Sequence, residues 1–424
     1  MRFTKSLLAV GIIGLTPLSA TAAELEVGGQ VNRAIMYAED GYSRNNLGVG
    51  SDSEFYHVDN RNSPTRFSLG GTQRLFEGWT AGALIEIGVR SNSSNDVDPA
   101  NKTTDSEIEQ RISDGFIDTP YGKITIGRGE GAAYNTGRRD YSGTGVISFR
   151  NPNLIGGSLR FALEPSSVKK KYDSDGNFTG TEDFDLANPS QSEVSISGSI
   201  RDYNFEGRHD RIRYDTPRLG PVVLSVSAGH DSASGGHDSI LQFGMKSGLR
   251  VPGGRMLVGL GYSIATQTSD DPSEPYDPDP SVDPDIDTYG GSVSYFHSDT
   301  GLNLTLAAVN RAEELTSDDK NSTFDWDDSE LGKFRYVKLG YRPNRQHAFD
   351  IHWGQTKGRN KKQDVGTVIG AGYVWSPSPM FDLYAGAKVH SFERGDWCTS
   401  SGRTCYSADY KDITVVTTGA RVKF

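Results

Sequence analysis

No run of the 424-residue chain reaches 18 consecutive apolar residues, so no segment qualifies as a membrane-spanning helix. Cysteine is nearly absent. Only Cys398 and Cys405 occur, close together in "DWCTSSGRTCYS", which excludes a paired-cysteine metal pattern and leaves one loop disulfide or two free or partner-directed thiols. The eight histidines are scattered, and neither GxSxG nor HExxH is present, so the common hydrolase and zinc-protease chemistries have no motif to stand on. His352 beside Asp350 in "FDIHWGQ" has no nucleophile at a recognisable spacing. No catalytic residue, metal ligand set or cofactor is therefore expected. A positive balance is missing too: the net charge is -11, which argues against nucleic acid as a partner.

Glycine and tyrosine are abundant, at 50 and 19 residues, while long helix-type patterns are scarce. That balance favours an all-β chain with many turns. The opening "MRFTKSLLAVGIIGLTPLSATAAELEV" places Arg2 and Lys5 before an apolar run and small residues at Ala20, Ala22 and Ala23, the pattern of a secretory signal peptide over residues 1–23. Loss of Arg2 and Lys5 with this leader takes the charge to -13. In an exported chain the two cysteines are expected to form the loop disulfide. The mean hydropathy of -0.53 looks soluble, but a membrane barrel alternates lipid-facing and lumen-facing residues and also averages to a polar composition.

One unit recurs along residues 24–424: an alternating strand, a tight turn with Pro or Gly, a second alternating strand, then a long polar segment. Copies include "RFSLGGTQRLFEGWTAGALIEIGVR", "RIRYDTPRLGPVVLSVSAG" and "TVIGAGYVWSPSPMFDLYAGAKVH". "VISFRNPNLIGGSLRFALE" reads the same way, with Ile147 and Phe149 alternating before the turn and Leu159, Phe161 and Leu163 after it. Short turns alternating with long loops are the signature of an outer-membrane barrel. Counting pairs gives 16 to 18 antiparallel strands in an up-and-down transmembrane barrel, wide enough for an aqueous channel. Aromatic residues such as Trp79, Tyr121, Tyr341, Trp375 and Phe381 gather at strand ends, as an interfacial girdle requires. The chain ends on "ITVVTTGARVKF", whose Val416, Ala420, Val422 and Phe424 share one face; this strand must close onto the first, "ELEVGGQVNRAIMYAED".

Three stretches carry a resemblance to the Gram-negative general porin family: "NSPTRFSLGGTQRLFEGWTAGALIEIG", "YGKITIGRGEGAAYNTGRRDYSGTG" and "RIRYDTPRLG". The resemblance implies a third loop that folds into the channel from Gly129 to about Gly145, periplasmic short turns, a homotrimer, and a terminal Phe424 that looks like the barrel-assembly signal. It also implies passive diffusion of small hydrophilic solutes and ions, with lipids and lipopolysaccharide around the wall. The inward loop lacks a Pro-Glu-Phe-type tip, and an eighteen-strand count would fit a substrate-specific sugar or carboxylate porin. An outer-membrane barrel enzyme or an adhesin is the more distant alternative.

Strand parity selects the lumen residues: Arg66, Glu86, Arg90, Glu109, Arg111, Arg150, Arg160, Arg211, Arg213, Lys338, Asp382 and Lys388. The third loop adds Arg128, Arg138 and Arg139 against Glu130 and Asp140. Arg66, Arg111 and Arg128 are the expected basic wall, giving a weak anion preference or none. Arg128 shares parity with Ile124 and Ile126, so it reaches the lumen only through a bulge at Gly127 or Gly129. The acidic prolines between Asp270 and Asp287, and "YDSDGN" around Asp173, read as solvated loops, with calcium binding as the alternative.

Overall fold

A computed structural model describes residues 23–40, 53–183, 194–231, 239–266, 285–313, 331–359, 363–398 and 402–424. The leader and most of the acidic 270–287 stretch lie outside them. Sixteen strands form one antiparallel barrel: β1 (Glu24–Glu39), β2 (Ser53–Asp59, resumed at Arg66–Phe76), β3 (Trp79–Arg90), β4 (Glu107–Thr119), β5 (Gly122–Glu130), β6 (Arg208–Asp215), β7 (Val222–His230) and β8 (Ser239–Val251). The second half comprises β9 (Gly254–Thr266), β10 (Asp285–His297), β11 (Leu302–Glu313), β12 (Leu331–Tyr341), β13 (His347–Lys357), β14 (Val365–Ser378), β15 (Phe381–Glu393) and β16 (Ile413–Lys423).

Alternation explains the wall. On β1, Val27, Val31 and Ile35 are exposed on the outside, while Gln30, Asn32, Ala34 and Met36 are buried inside. The last strand behaves as the terminal sequence requires: Val416, Val422 and Phe424 face outward, Val415 and Thr417 inward. β16 pairs with β15 on one side and with β1 on the other, from Gln30 opposite Lys423 to Glu39 opposite Thr414. Phe424 and Gly29 exchange both backbone hydrogen bonds, at 2.9 and 3.1 Å. Closure leaves no unpaired edge in the hydrocarbon. Phe76, Tyr121, Tyr341, Trp375 and Phe424 are exposed near the short turns and build the aromatic ring at that end.

β2 is interrupted. Its two segments pair with the two halves of β1, and residues 60–65 leave the sheet between them. Pro64 offers no N–H to a ladder, and the Asp59 carboxylate accepts from the Thr65 amide at 3.2 and 3.3 Å, closing the detour. This sends Asn60, Arg61, Asn62 and Ser63 toward the lumen.

The count of sixteen corrects the upper figure of eighteen. "VISFRNPNLIGGSLRFALE" is not a hairpin of the wall but part of the connection between β5 and β6, residues 131–207, with no barrel strand among its described residues. Its alternation serves a different surface: Ile147, Ile155, Leu159 and Phe161 are buried against inward-facing wall residues such as Tyr336, Val374 and Val415. An apolar face that covers the inside of a barrel has the same period-two look as one that meets lipid. The inward loop is thus far longer than the 129–145 segment expected, and Arg150 and Arg160 belong to it rather than to strands. It also carries Val168–Tyr172 and Phe178–Asp183, which form a small sheet with Thr404–Ser407 and Trp397–Cys398 of the last long loop. Cys405 is disulfide-bonded, and Cys398 is its register partner in that sheet.

Leu260 stands half-exposed on the outer face near the middle of β9. Leu260→Arg is expected to lower barrel stability by about 2–4 kcal/mol, because it presents a guanidinium to acyl chains near the bilayer midplane; the urea midpoint of the heat-modifiable gel shift in lipid measures it.

Candidate functional site: the narrowed channel

The loop is laid along the inner wall by hydrogen bonds from successive strands. Ser227 on β7 accepts from the Ala132 amide at 2.9 Å, Gln242 on β8 from the Ala133 amide at 3.0 Å. On β10, Ser292 donates to the Thr136 carbonyl at 2.7 Å and accepts from the Arg139 amide at 2.8 Å. Lys338 on β12 donates to the Ser148 carbonyl at 2.6 Å, and on the far side Asn60 and Asn62 donate to the carbonyls of Val146 and Ile147 at 2.8 and 2.9 Å. The loop backbone also lies so near the sheet that two wall glycines are required: a Cβ at Gly244 would strike the Ala132 carbonyl oxygen, and one at Gly259 the Thr136 carbonyl oxygen.

Two polar cavities flank the loop among the described residues. The upper, about 620 Å³, is lined by Arg61 and Arg66 of the β2 wall, Glu86, Arg111, Glu130, Arg208 and Asp231, and by Arg138, Phe149, Leu154, Arg201, Asp202 and Glu206 of the loop. The lower, about 290 Å³, is lined by Arg138, Arg139, Asp140, Phe149, Arg150, Thr305, Tyr336 and Arg421, among others. Glu130, Arg208 and Asp231 sit at long-loop ends of their strands. Thr305 and Arg421 sit a few residues from the short-turn end. The cavities therefore follow one another along the barrel axis.

Arg66 and Arg111 face the upper cavity and grip Glu86 between them, at 3.4 and 2.6 Å. Arg61 and Arg90 hold Glu109 at 2.9 and 3.0 Å. Arg128 is a correction. The β5–β6 register runs unshifted through Ile126 opposite Ile212 and Arg128 opposite Asp210, so Arg128 keeps the formal parity of the exposed Ile124 and Ile126, and only at the strand ends beyond it do Glu130 and Arg208 turn to the upper cavity. Gly127 has φ 122° yet restores nothing to the lumen. The Arg128 guanidinium pairs with Asp210 at 3.4 Å and Asp231 at 3.1 Å, and it lines neither cavity.

Arg211 and Arg213 do point inward, but they are committed to structure. Arg211 binds Asp114 at 2.7 Å and the carbonyls of Gly127 and Glu130; Arg213 binds Asp215 at 2.6 Å and the carbonyls of Glu130 and Gly131. Together they fix the point where the chain leaves β5 for the lumen. Asp382 pairs with Arg421 at 2.6 Å, and Lys388 is buried beneath the loop.

Within the loop, Arg138 lies fork to fork on Asp202, at 2.5 and 2.7 Å, and Arg150 adds a third contact at 3.0 Å. Burial alone would raise the Asp202 carboxyl, but the two guanidinium charges outweigh it and hold it at about 2. Burial likewise opposes ionisation of Asp140, and the Lys338 ammonium at 2.8 Å overcomes that, keeping its carboxyl below the ordinary range. Arg139 keeps its charge on the lower cavity without an acidic partner among the described residues, and burial lowers its affinity for its proton. Glu130 is held only loosely, 3.8 Å from Arg208.

Sequence parity missed Arg61, Asn62, Asp202, Arg208 and Arg421. Arg61 and Asn62 lie on the excursion from β2, signalled only by Pro64, and Asp202 lies deep in the loop. Arg421 was legible: it alternates with the outward Val422 and Ala420.

A closed barrel with polar-lined cavities in series, narrowed by an inward loop, is a passive membrane channel. The Gram-negative porin family profile matches residues 8–395. Among solved structures, the anion-selective porin from Comamonas acidovorans is similar over 95% of this chain and 100% of its own, at 15% identity and a TM-score of 0.58. The trimer form of OmpT, an outer membrane protein of Vibrio cholerae, is similar over 95% and 100% of the two chains, at 10% identity and a TM-score of 0.53. Salmonella typhi OmpF is similar over 94% and 97%, at 13% identity and a TM-score of 0.51. No curated protein matches the sequence. The chain belongs to the Gram-negative porin family, and is an outer-membrane channel for passive diffusion.

Asp202 carries a depressed carboxyl, so its clamp on the loop is present above the ordinary carboxylate value near 3.9 and is lost only as pH falls through about 2. Conductance is expected to stay level from pH 7 to pH 4 as far as this clamp governs it. Asp202→Asn is expected to cost about 3–5 kcal/mol by stranding two buried guanidinium groups, read as a lower thermal transition and noisier single-channel current.

Proposed function

We propose a diffusion pore with a weak preference for anions, assembled as a homotrimer and performing no reaction. One observation carries the ion preference: each carboxylate lining the upper cavity lies within 4 Å of a guanidinium, Glu86 on Arg66 and Arg111, Glu130 on Arg208, Asp202 on Arg138, Glu206 on Arg311 and Asp231 on Arg128. Three of the arginines serving these acids, Arg128, Arg150 and Arg311, stand behind the lining rather than in it. The lower cavity adds Arg139, Arg150 and Arg421 to the shared Arg138; Arg421 is paired with Asp382 behind the lining, and the lining Asp140 is neutralised by Lys338, which leaves Arg139 as a charge without an acidic partner among the described residues. The passage therefore carries excess positive potential although the chain as a whole is acidic. The Comamonas relative described as anion-selective supports the same reading. The Asp350–His352 pair, at 2.7 Å, is sealed between wall and loop, where no solute reaches it.

The outer face of β2 to β4 supports trimer assembly. Gln110 and Ser113 take outward parity there, among the small Gly71, Ala81, Ala83 and Gly115. Polar side chains facing acyl tails are costly, and a flat patch suits a second copy of the wall.

Arg66→Gln combined with Arg111→Gln is expected to lower the chloride-to-potassium permeability ratio by about twofold, measured as reversal potential across a KCl gradient in a planar bilayer; an unmoved potential removes both from the filter. Protein extracted in mild detergent is expected to show three times the chain mass by light scattering, and Gly115→Arg to shift it to the monomer.

A further inference from the structure

We infer that Phe149 is the residue that sets the width of the channel and gives passing organic anions an apolar face; this inference rests on the diffusion-pore reading above. The upper and lower cavities share four lining residues, Asn62, Ser63, Arg138 and Phe149. A solute moving from one cavity to the other passes through the space these four enclose. Two are short polar side chains on the wall excursion from β2. The others face them from the loop, with the Arg138 guanidinium over the Phe149 ring at 4.9 Å.

The ring is held as a fixed septum rather than a loose flap. Its backbone neighbours are anchored in three directions: the Ile147 carbonyl by Asn62, the Ser148 carbonyl by Lys338, and the Arg150 side chain by the Asp202 carbonyl and carboxylate at 3.1 and 3.0 Å. From 146 to 151 every residue is buried except Phe149. The loop thus presents one large apolar group to the passage at its neck, already stacked by a guanidinium that is itself locked on Asp202. Leu154 extends the apolar surface into the upper cavity.

The chemistry this favours is an organic anion with a flat or apolar body, such as an aromatic carboxylate. Its charge meets guanidinium groups on both sides of the neck, and its apolar face contacts the ring without giving up water it holds tightly. A compact inorganic anion gains only the charge term.

Single channels in planar bilayers test this with potassium chloride and potassium benzoate as probes, using protein whose unheated gel mobility matches the wild type. Phe149→Ala is expected to raise KCl conductance about twofold and to lower the benzoate-to-chloride permeability ratio, and Phe149→Trp to reduce conductance by about half. Wild-type channels that conduct while both variants retain wild-type conductance would overturn the role of Phe149. Altered conductance with an unchanged benzoate-to-chloride ratio would overturn the apolar-face part. Absence of any conductance in the wild type would instead overturn the diffusion-pore reading on which both stand.

Discussion

Backbone amides and carbonyls in a bilayer have no water to bond, and the architecture follows from that constraint. Each strand must find partners on both sides, so the last strand returns to the first and Phe424 shares its two backbone bonds with Gly29. Once the ring is closed, side chains can only alternate between lipid and lumen. The outward set is then mainly apolar where it meets lipid, and the inward set becomes free to carry charge. That freedom is why an acidic chain can line its passage with arginine: the wall residues answer to the passage, whatever the balance of charge in the rest of the chain.

The inward loop turns a wide ring into a filter by two kinds of contact. Apolar burial provides most of its hold, since Ile147, Ile155, Leu159 and Phe161 are essentially inaccessible to water and each such side chain contributes about 1.5–3 kcal/mol. Hydrogen bonds fix its position instead. Ser292, Gln242, Asn62 and Lys338 each bond a different loop group, and the close glycines allow the backbone to lie flat on the sheet. Burial decides that the loop is inside; the directional bonds decide which side chain ends at the neck.

The barrel was legible because lipid imposes a rule that every strand obeys in the same way. Outward Val416 and Val422, the polar inward faces and the alternation of short turns with long loops all follow from it. Arg66 and Arg111 were legible for the same reason. What parity could not reveal is whatever depends on the loop. "VISFRNPNLIGGSLRFALE" alternates as a wall hairpin does, because it packs on the inner surface of the wall, and no local pattern separates those two apolar surroundings. Arg128 failed for a related reason: Gly127 takes a positive φ without shifting the register, so a glycine that could have made a bulge did not. Arg211 and Arg213 point where parity sends them, but their bonds to the carbonyls of Glu130 and Gly131 exist only once the loop has turned inward.

The wall beneath the loop shows how far this division of labour goes. Lys338 on β12 stands in register with His352 on β13, which stands opposite Gly370 on β14, itself opposite Lys388 on β15. This is one level of the barrel, written with cations as a channel wall would be, yet covered. Lys338 is satisfied by Asp140 and the Ser148 carbonyl, so the loop supplies at that point the counter-charge that water would give an open wall. Lys388 and His390, by contrast, have no hydrogen-bond partner among the described residues, and Ile147 and Ile155 lie over the space beside Lys388. An unpaired buried amine is unfavourable, and the surrounding apolar contacts must offset it. The loop is therefore held by charge and backbone bonds at Lys338, one residue from Phe149, and by apolar contact alone over Lys388. The neck lies beside the directional bonds, which is where a channel of fixed width needs its rigid element.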